Sequence, residues 1–131
     1  APKSTGREMF NLAWLETQLS GLNLKPQDIQ ATLVSFTAQS LAAAINKLNE
    51  PVDEVYICGG GVFNDQLMAQ LQIALGPRAL HSTEKLGLDP TWVEACAFGW
   101  LAHQYINNQP GNLPSVTGAS RKAVLGALYK A

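Results

Sequence analysis

The stretch from Val52 to Asn64, VDEVYICGGGVFN, holds the residues best suited to chemistry. Gly59, Gly60 and Gly61 remove three Cβ atoms in succession, which permits positive φ and lets a ligand approach the backbone itself. Asn64 is of the N-cap type, with Asp65 and Gln66 behind it in the first turn of a helix. A helix start beyond the carboxyl end of a strand offers free N–H groups and the positive end of a dipole. Phosphates and ribose hydroxyls bind in such places. The run is neither a Walker loop, having no Gly-Lys-Ser/Thr, nor a G-x-G-x-x-G dinucleotide fingerprint. The plain alternative is a turn that only reverses the chain. Three consecutive glycines weigh against it, because each costs chain entropy.

Glu94 is the second candidate. It is the only charge between Asp89 and His103, within the apolar run from Trp92 to Phe98. A carboxylate buried without a partner is costly, so Glu94 should have a partner, face a cleft or be protonated. A place in the second helical turn would alternatively let it reach water or the positive end of its own helix. His81 and His103 are too far apart and too poorly accompanied to suggest a metal site, and each reads as a surface or capping histidine. Cys58 and Cys96 lie in apolar runs without a C-x-x-C pair and read as reduced core residues. No Ser–His–Asp spacing or pair of catalytic carboxylates stands out.

Several elements must position these groups. Val52 to Cys58 is a near-continuous apolar run, as in a parallel strand buried on both faces. Asp65 to Leu75 predicts a helix with a stripe of Leu67, Met68, Leu71 and Leu75, ended by Gly76-Pro77. Ala79 to Ser82 is a short strand, followed by a loop from Thr83 to Leu88. Asp89 as N-cap and Pro90 at N1 open the helix that carries Glu94. Upstream, Thr5 and Glu8 form a capping box that opens a helix from about Gly6 to Ser20. Pro26 begins a second helix, in which no charge occurs from Ile29 to Asn46. Its broad face of Ile29, Leu33, Phe36, Leu41, Ala44, Ile45 and Leu48 expects cover on most sides. Downstream, loop signals at residues 107–112 and 117–121 precede a last strand from Ala123 to Tyr129. That strand is weakened by Gly126 and needs an existing sheet edge.

The chain's 131 residues suit one domain, and its 47% hydrophobic content excludes wholesale disorder. The net charge is −1 and the nine Lys and Arg are scattered, so no nucleic-acid footprint is present. No apolar stretch is long enough to span a membrane, and the first residues lack a signal-peptide pattern. With the reduced cysteines, this predicts a cytoplasmic location. The absence of a start methionine fits its removal before alanine, or a cut in a longer protein.

The chain resembles the C-terminal part of the anhydro-N-acetylmuramic acid kinases. The resemblance runs over essentially the whole chain. It rests on Pro2-Lys3-Ser4-Thr5-Gly6-Arg7-Glu8, on Gly59-Gly60-Gly61 with Asn64, and on Leu86-Gly87-Leu88-Asp89-Pro90 with Trp92-Val93-Glu94-Ala95. Pro110-Gly111-Asn112-Leu113-Pro114 with Thr117-Gly118-Ala119-Ser120-Arg121 completes the set. The resemblance implies an α/β fold, namely part of a ribonuclease-H-like lobe of the actin-like ATPase fold, with helices packed on a small, mostly parallel sheet. It implies residues 1–131 as a partial C-terminal lobe of a two-lobed sugar kinase, with residues 109–131 a tail ending in a strand. It implies ATP and Mg2+ as cofactors of a full enzyme that opens 1,6-anhydro-N-acetylmuramic acid and phosphorylates O6. Gly59, Gly60, Gly61 and Asn64 match the superfamily's adenosine motif, and Glu94 matches a family glutamate near the sugar. The catalytic base and first phosphate loop would precede this chain, so the chain alone is not expected to catalyse. Its partners would be the anhydro sugar, the N-terminal lobe and a second copy that covers exposed apolar surface. The rival expectation is a non-catalytic binding module, or a subunit that completes a partner's fold.

Overall fold

Capping chemistry and apolar periodicity resolve, in chain order, into α1 (Leu12–Leu19), α2 (Pro26–Asn46), β1 (Glu54–Ile57), α3 (Asp65–Leu75), β2 (Ala79–Ser82), α4 (Val93–Ile106) and α5 (Pro114–Thr117). Single 3-10 turns lie at Gly60–Phe63 and Thr83–Leu86. The computed structural model describes residue 6 and residues 8–129. Two units emerge, Leu24–Cys96 and Ala1–Asn23 with Ala97–Ala131.

In the unit Leu24–Cys96, Pro26 starts α2 with no N–H to leave unpaired. Ala38 and Ala42 stack one turn apart on α2, and Leu71 and Leu75 do the same on α3; all four are buried. The alanines bring the α2 backbone close, and the leucines fill the remaining volume. Val55, Ile57 and Leu80 pack on the same cluster. β1 and β2 pair in parallel, with Val55 opposite Leu80 and Tyr56 opposite His81. With α3 between them they form a βαβ unit. This α/β arrangement is the one expected of part of an actin-like ATPase lobe. At the far end of α3, the Arg78 guanidinium donates to Asn46 Oδ1 at 2.8 Å and to the Leu75 carbonyl at 3.1 Å. One side chain thus satisfies an orphan carbonyl of α3 and ties it to the end of α2.

The sheet is not buried on both faces as its apolar run predicts. The period of two sends Val55 and Ile57 to the helices, while Glu54 and Tyr56 take the other side. There the Tyr56 hydroxyl donates to Glu54, and Lys85 Nζ lies 2.8 Å from His81 Nε2 and 3.5 Å from Glu54. An ammonium can only donate, so His81 Nε2 accepts. The Tyr56 hydrogen bond, then Lys85, lowers the Glu54 carboxyl, and the same bond raises the Tyr56 phenol. Cys58 and Cys96 are exposed free thiols rather than core residues, because neither side chain has an apolar layer over it. On α2, Phe36 and Leu41 are 54% and 43% exposed. The expected broad face therefore narrows to the stripe that meets α3.

In the other unit, Asn11 rather than Thr5 caps α1, accepting from the Trp14 N–H at 2.9 Å. The helix starts later than expected because the N–H groups of Met9 and Phe10 close a turn onto the Gly6 carbonyl. Thr5, and with it half of the expected capping box, lies outside the described residues. The tail folds back around Asn112. Its Nδ2 donates to the Arg121 carbonyl at 3.0 Å and its Oδ1 accepts from the Ala123 N–H at 2.6 Å. The Gly111 N–H donates to the Ala123 carbonyl at 3.0 Å. A Cβ on Gly111 would sit 2.9 Å from Leu101 Cδ2 and 3.4 Å from Leu125 Cβ, so any other residue there must push the Leu101 side chain aside. The expected strand from Ala123 to Tyr129 does not form. No strand of its own unit offers an edge among the described residues, and Gly126 takes φ +112.

The buried leucines should dominate the stability of the unit Leu24–Cys96. Leu71→Ala or Leu75→Ala should cost about 2–5 kcal/mol in urea unfolding. Ile73→Ala, at a side chain 80% exposed, should stay within about 0.5 kcal/mol. Equal losses at all three positions would contradict this core.

Candidate functional site

The parallel pairing of β1 with β2 brings both strands' carboxyl ends to one edge of the sheet. β1 runs out through Cys58 into Gly59, whose φ of +77 and ψ of 177 form a conformation open essentially to glycine alone. The chain then winds through the 3-10 turn Gly60–Phe63. At the start of this turn the backbone N–H groups have no helical acceptor. Asn64 ends the turn and caps α3, accepting from the Leu67 N–H at 3.0 Å. All four residues of the expected motif are therefore contiguous at the carboxyl edge, and Asn64 performs the capping role its type predicts.

β2 ends beside them. Ser82 Oγ accepts from the Glu84 N–H at 3.2 Å, and the Leu88 N–H returns to the Thr83 carbonyl at 3.2 Å. The segment then passes Asp89 and Pro90, and the Pro90 carbonyl accepts from the Gly59 N–H at 2.7 Å. This bond locks the glycine turn to the segment that leads into α4. A cavity of about 300 Å³ opens between these pieces, lined by Val62, Phe63, Ser82, Glu84, Asp89 and Pro90. Its size is at the lower end of small-molecule sites. Thr83 Oγ1, between two lining residues, is buried with no hydrogen-bond partner among the described residues.

Asp89 does not cap α4 as expected. Its Oδ1 accepts from the Thr91 hydroxyl at 2.6 Å and the Thr91 N–H at 2.8 Å, and the helix starts at Val93. The two short bonds favour an Asx turn over a helical first turn here. The Thr91 hydroxyl, then its amide, stabilises the charged form and holds Asp89 below the usual carboxylate range. Glu94 falls in the first turn of α4, exposed, with no ion pair among the described residues. It lies near the positive end of its own helix and is open to water. No burial penalty forces it to find a partner. Among the described residues no group of three or more His, Cys, Asp or Glu gathers as a metal site.

Sequence reasoning singled out the glycine turn but missed Ser82, Glu84 and Asp89 as walls of the same cavity. The signal was available in principle: a short strand after α3 pairs parallel with β1, and its carboxyl end then falls beside Gly59.

Fold and edge together define an α/β protein of the kind that takes small ligands beyond the carboxyl ends of parallel strands. The chain belongs to the anhydro-N-acetylmuramic acid kinase family, whose family model matches residues 1–131. It is 52% identical over 132 residues to the anhydro-N-acetylmuramic acid kinase of Shewanella pealeana, covering 100% of this chain and 36% of the relative. It is 48% identical over 128 residues to that of Coxiella burnetii, covering 98% of this chain and 34% of the relative. The chain thus spans about a third of the length of the curated relatives it matches.

Two glycines separate structure from binding. Gly59→Ala should cost about 1–3 kcal/mol from backbone strain alone. Gly60→Ala meets no atom within 4 Å, so denaturant unfolding should show stability unchanged or raised by up to about 1 kcal/mol. Any loss of ligand affinity in that variant then reports contact with the backbone. Asp89 should also leave a mark on acid stability. Its folded pKa lies below the unfolded one, so its contribution is present above the unfolded value and is lost as pH falls through the folded value. Asp89→Asn should flatten the stability profile below about pH 4, as read by thermal melts across pH.

Proposed function

We propose that this chain is the C-terminal, nucleotide-facing portion of a cytoplasmic kinase that uses ATP to open 1,6-anhydro-N-acetylmuramic acid and phosphorylate O6. The observation that carries the reading is the glycine turn fixed at the carboxyl edge of the parallel strands, in a chain of this family. Gly59, Gly60, Gly61 and Asn64 face the adenosine and its phosphates. The open backbone at Gly60 accommodates close approach, since no neighbouring atom occupies the place of a Cβ. Bound ATP supplies the phosphoryl group, and Mg2+ accompanies its phosphates.

Glu94 serves the sugar. Its exposure leaves both carboxylate oxygens open to hydroxyl donors, and the Gly59–Pro90 bond fixes the segment just before it to the nucleotide turn. In this reading the base that activates water belongs to the other lobe. That lobe, or a second copy of the kinase, covers apolar side chains such as Trp92 and Phe98, which are 65% and 64% exposed here. No helix among the described residues is long and apolar enough to cross a membrane.

The full-length gene product carrying this chain should phosphorylate the anhydro sugar with ATP, the product being identified by mass and by 31P NMR. Glu94→Gln should lower kcat/KM for the sugar by about tenfold or more while leaving ATP affinity within about twofold. A folded full-length protein that binds ATP but transfers no phosphoryl group to the sugar would overturn the reading.

A further inference from the structure

The cavity beside the glycine turn has an unusual balance of groups for a site next to phosphates. Its polar side chains are two carboxylates, Glu84 and Asp89, and the Ser82 hydroxyl, with no Lys or Arg in its wall. Ser82 Oγ already accepts from the Glu84 amide, and one oxygen of Asp89 is held by Thr91. The second Asp89 oxygen and both Glu84 oxygens have no partner among the described residues, and an ionised carboxylate can only accept. A phosphate here would meet two like charges. Both residues are exposed, and a neutral ring carrying several hydroxyls would offer these oxygens donors in place of water.

The walls are also fixed. The Gly59–Pro90 bond, the Leu88–Thr83 bond and the Thr91 clasp on Asp89 hold three sides of the cavity without any ligand. Pro90 is buried behind them, while Phe63 stands 68% exposed at the rim, available to stack on a flat ring face.

We propose that Glu84 and Asp89 are specificity-determining residues that accept hydrogen bonds from the hydroxyls of a sugar ring seated in this cavity. The proposal rests on the kinase reading above and deepens it. The ring has two possible sources, the ribose of the nucleotide and the amino-sugar substrate. The carboxylates select hydroxylated rings and turn charged phosphates away toward the glycine amides.

The test is steady-state kinetics on the full-length kinase with Glu84→Gln and Asp89→Asn. Asp89→Asn keeps an oxygen for Thr91, so the clasp survives, and a single cooperative thermal melt at pH 7, lowered at most by the loss of the charged form's contribution, confirms the fold. If the ring is ribose, wild type should prefer ATP over 2′-deoxyATP or 3′-deoxyATP by about tenfold in kcat/KM, and the variants should lose most of that preference. If the ring is the substrate, the variants should raise KM for the sugar by about tenfold with the ATP terms unchanged. Folded variants that move neither quantity overturn the proposal while leaving the kinase reading intact. A wild-type protein that neither binds ATP nor phosphorylates the sugar would instead defeat the kinase reading itself.

Discussion

The packing of Leu71 and Leu75 against Ala38 and Ala42 is the constraint on which the rest of the unit Leu24–Cys96 depends. Two parallel strands of four residues cannot stand alone in water. They persist because Val55, Ile57 and Leu80 are held against the same cluster. α3 is the crossover between the strands, so its burial also fixes where each strand ends. The carboxyl edge of the sheet is thus a consequence of a helix–helix contact. Arg78 reinforces that contact from the far side by bridging the ends of α2 and α3.

From this base, one hydrogen bond organises the site. The bond from the Gly59 amide to the Pro90 carbonyl joins two segments far apart in sequence. It uses the amide of the glycine whose backbone conformation other residues resist, so turn geometry and cavity wall are set together. The same bond explains why two motifs, the glycines and the Leu86–Ala95 segment, belong to one site although neither refers to the other in sequence. Glu94 is carried along on the helix that follows.

The sequence was most legible where local chemistry decides structure. Pro26 at the start of α2, Asn64 as the cap of α3 and the brief strand Ala79–Ser82 all appear as expected. It was least legible where a tertiary contact or a competing local bond intervenes. α1 begins at Leu12 with Asn11 as its cap rather than near Gly6, and the Thr91 clasp moved the start of α4 past Asp89. The apolar tail read as a strand, but a strand exists only with an edge, and Asn112 folds the tail back instead. Apolar runs around Cys58 and Cys96 implied burial that a single helix layer does not provide. For the site, the glycine turn was visible because glycine runs are rare and costly. The opposite wall was hidden because strand pairing, not any motif, brings Ser82 and Glu84 to it.

Charge placement gives the site its polarity. Lys85 neighbours Glu84 in sequence, yet its ammonium is engaged with Glu54 and His81 on the face of the sheet away from the buried cluster. The cavity wall therefore keeps its negative character, because the nearest cation along the chain is already occupied. Backbone N–H groups at the glycine turn and the start of α3 are the positive groups that remain at the edge. An anionic ligand with a neutral, hydroxyl-rich end meets two different surfaces there. A negative group is electrostatically favoured at the turn and disfavoured at Glu84 and Asp89, so the edge has a built-in polarity.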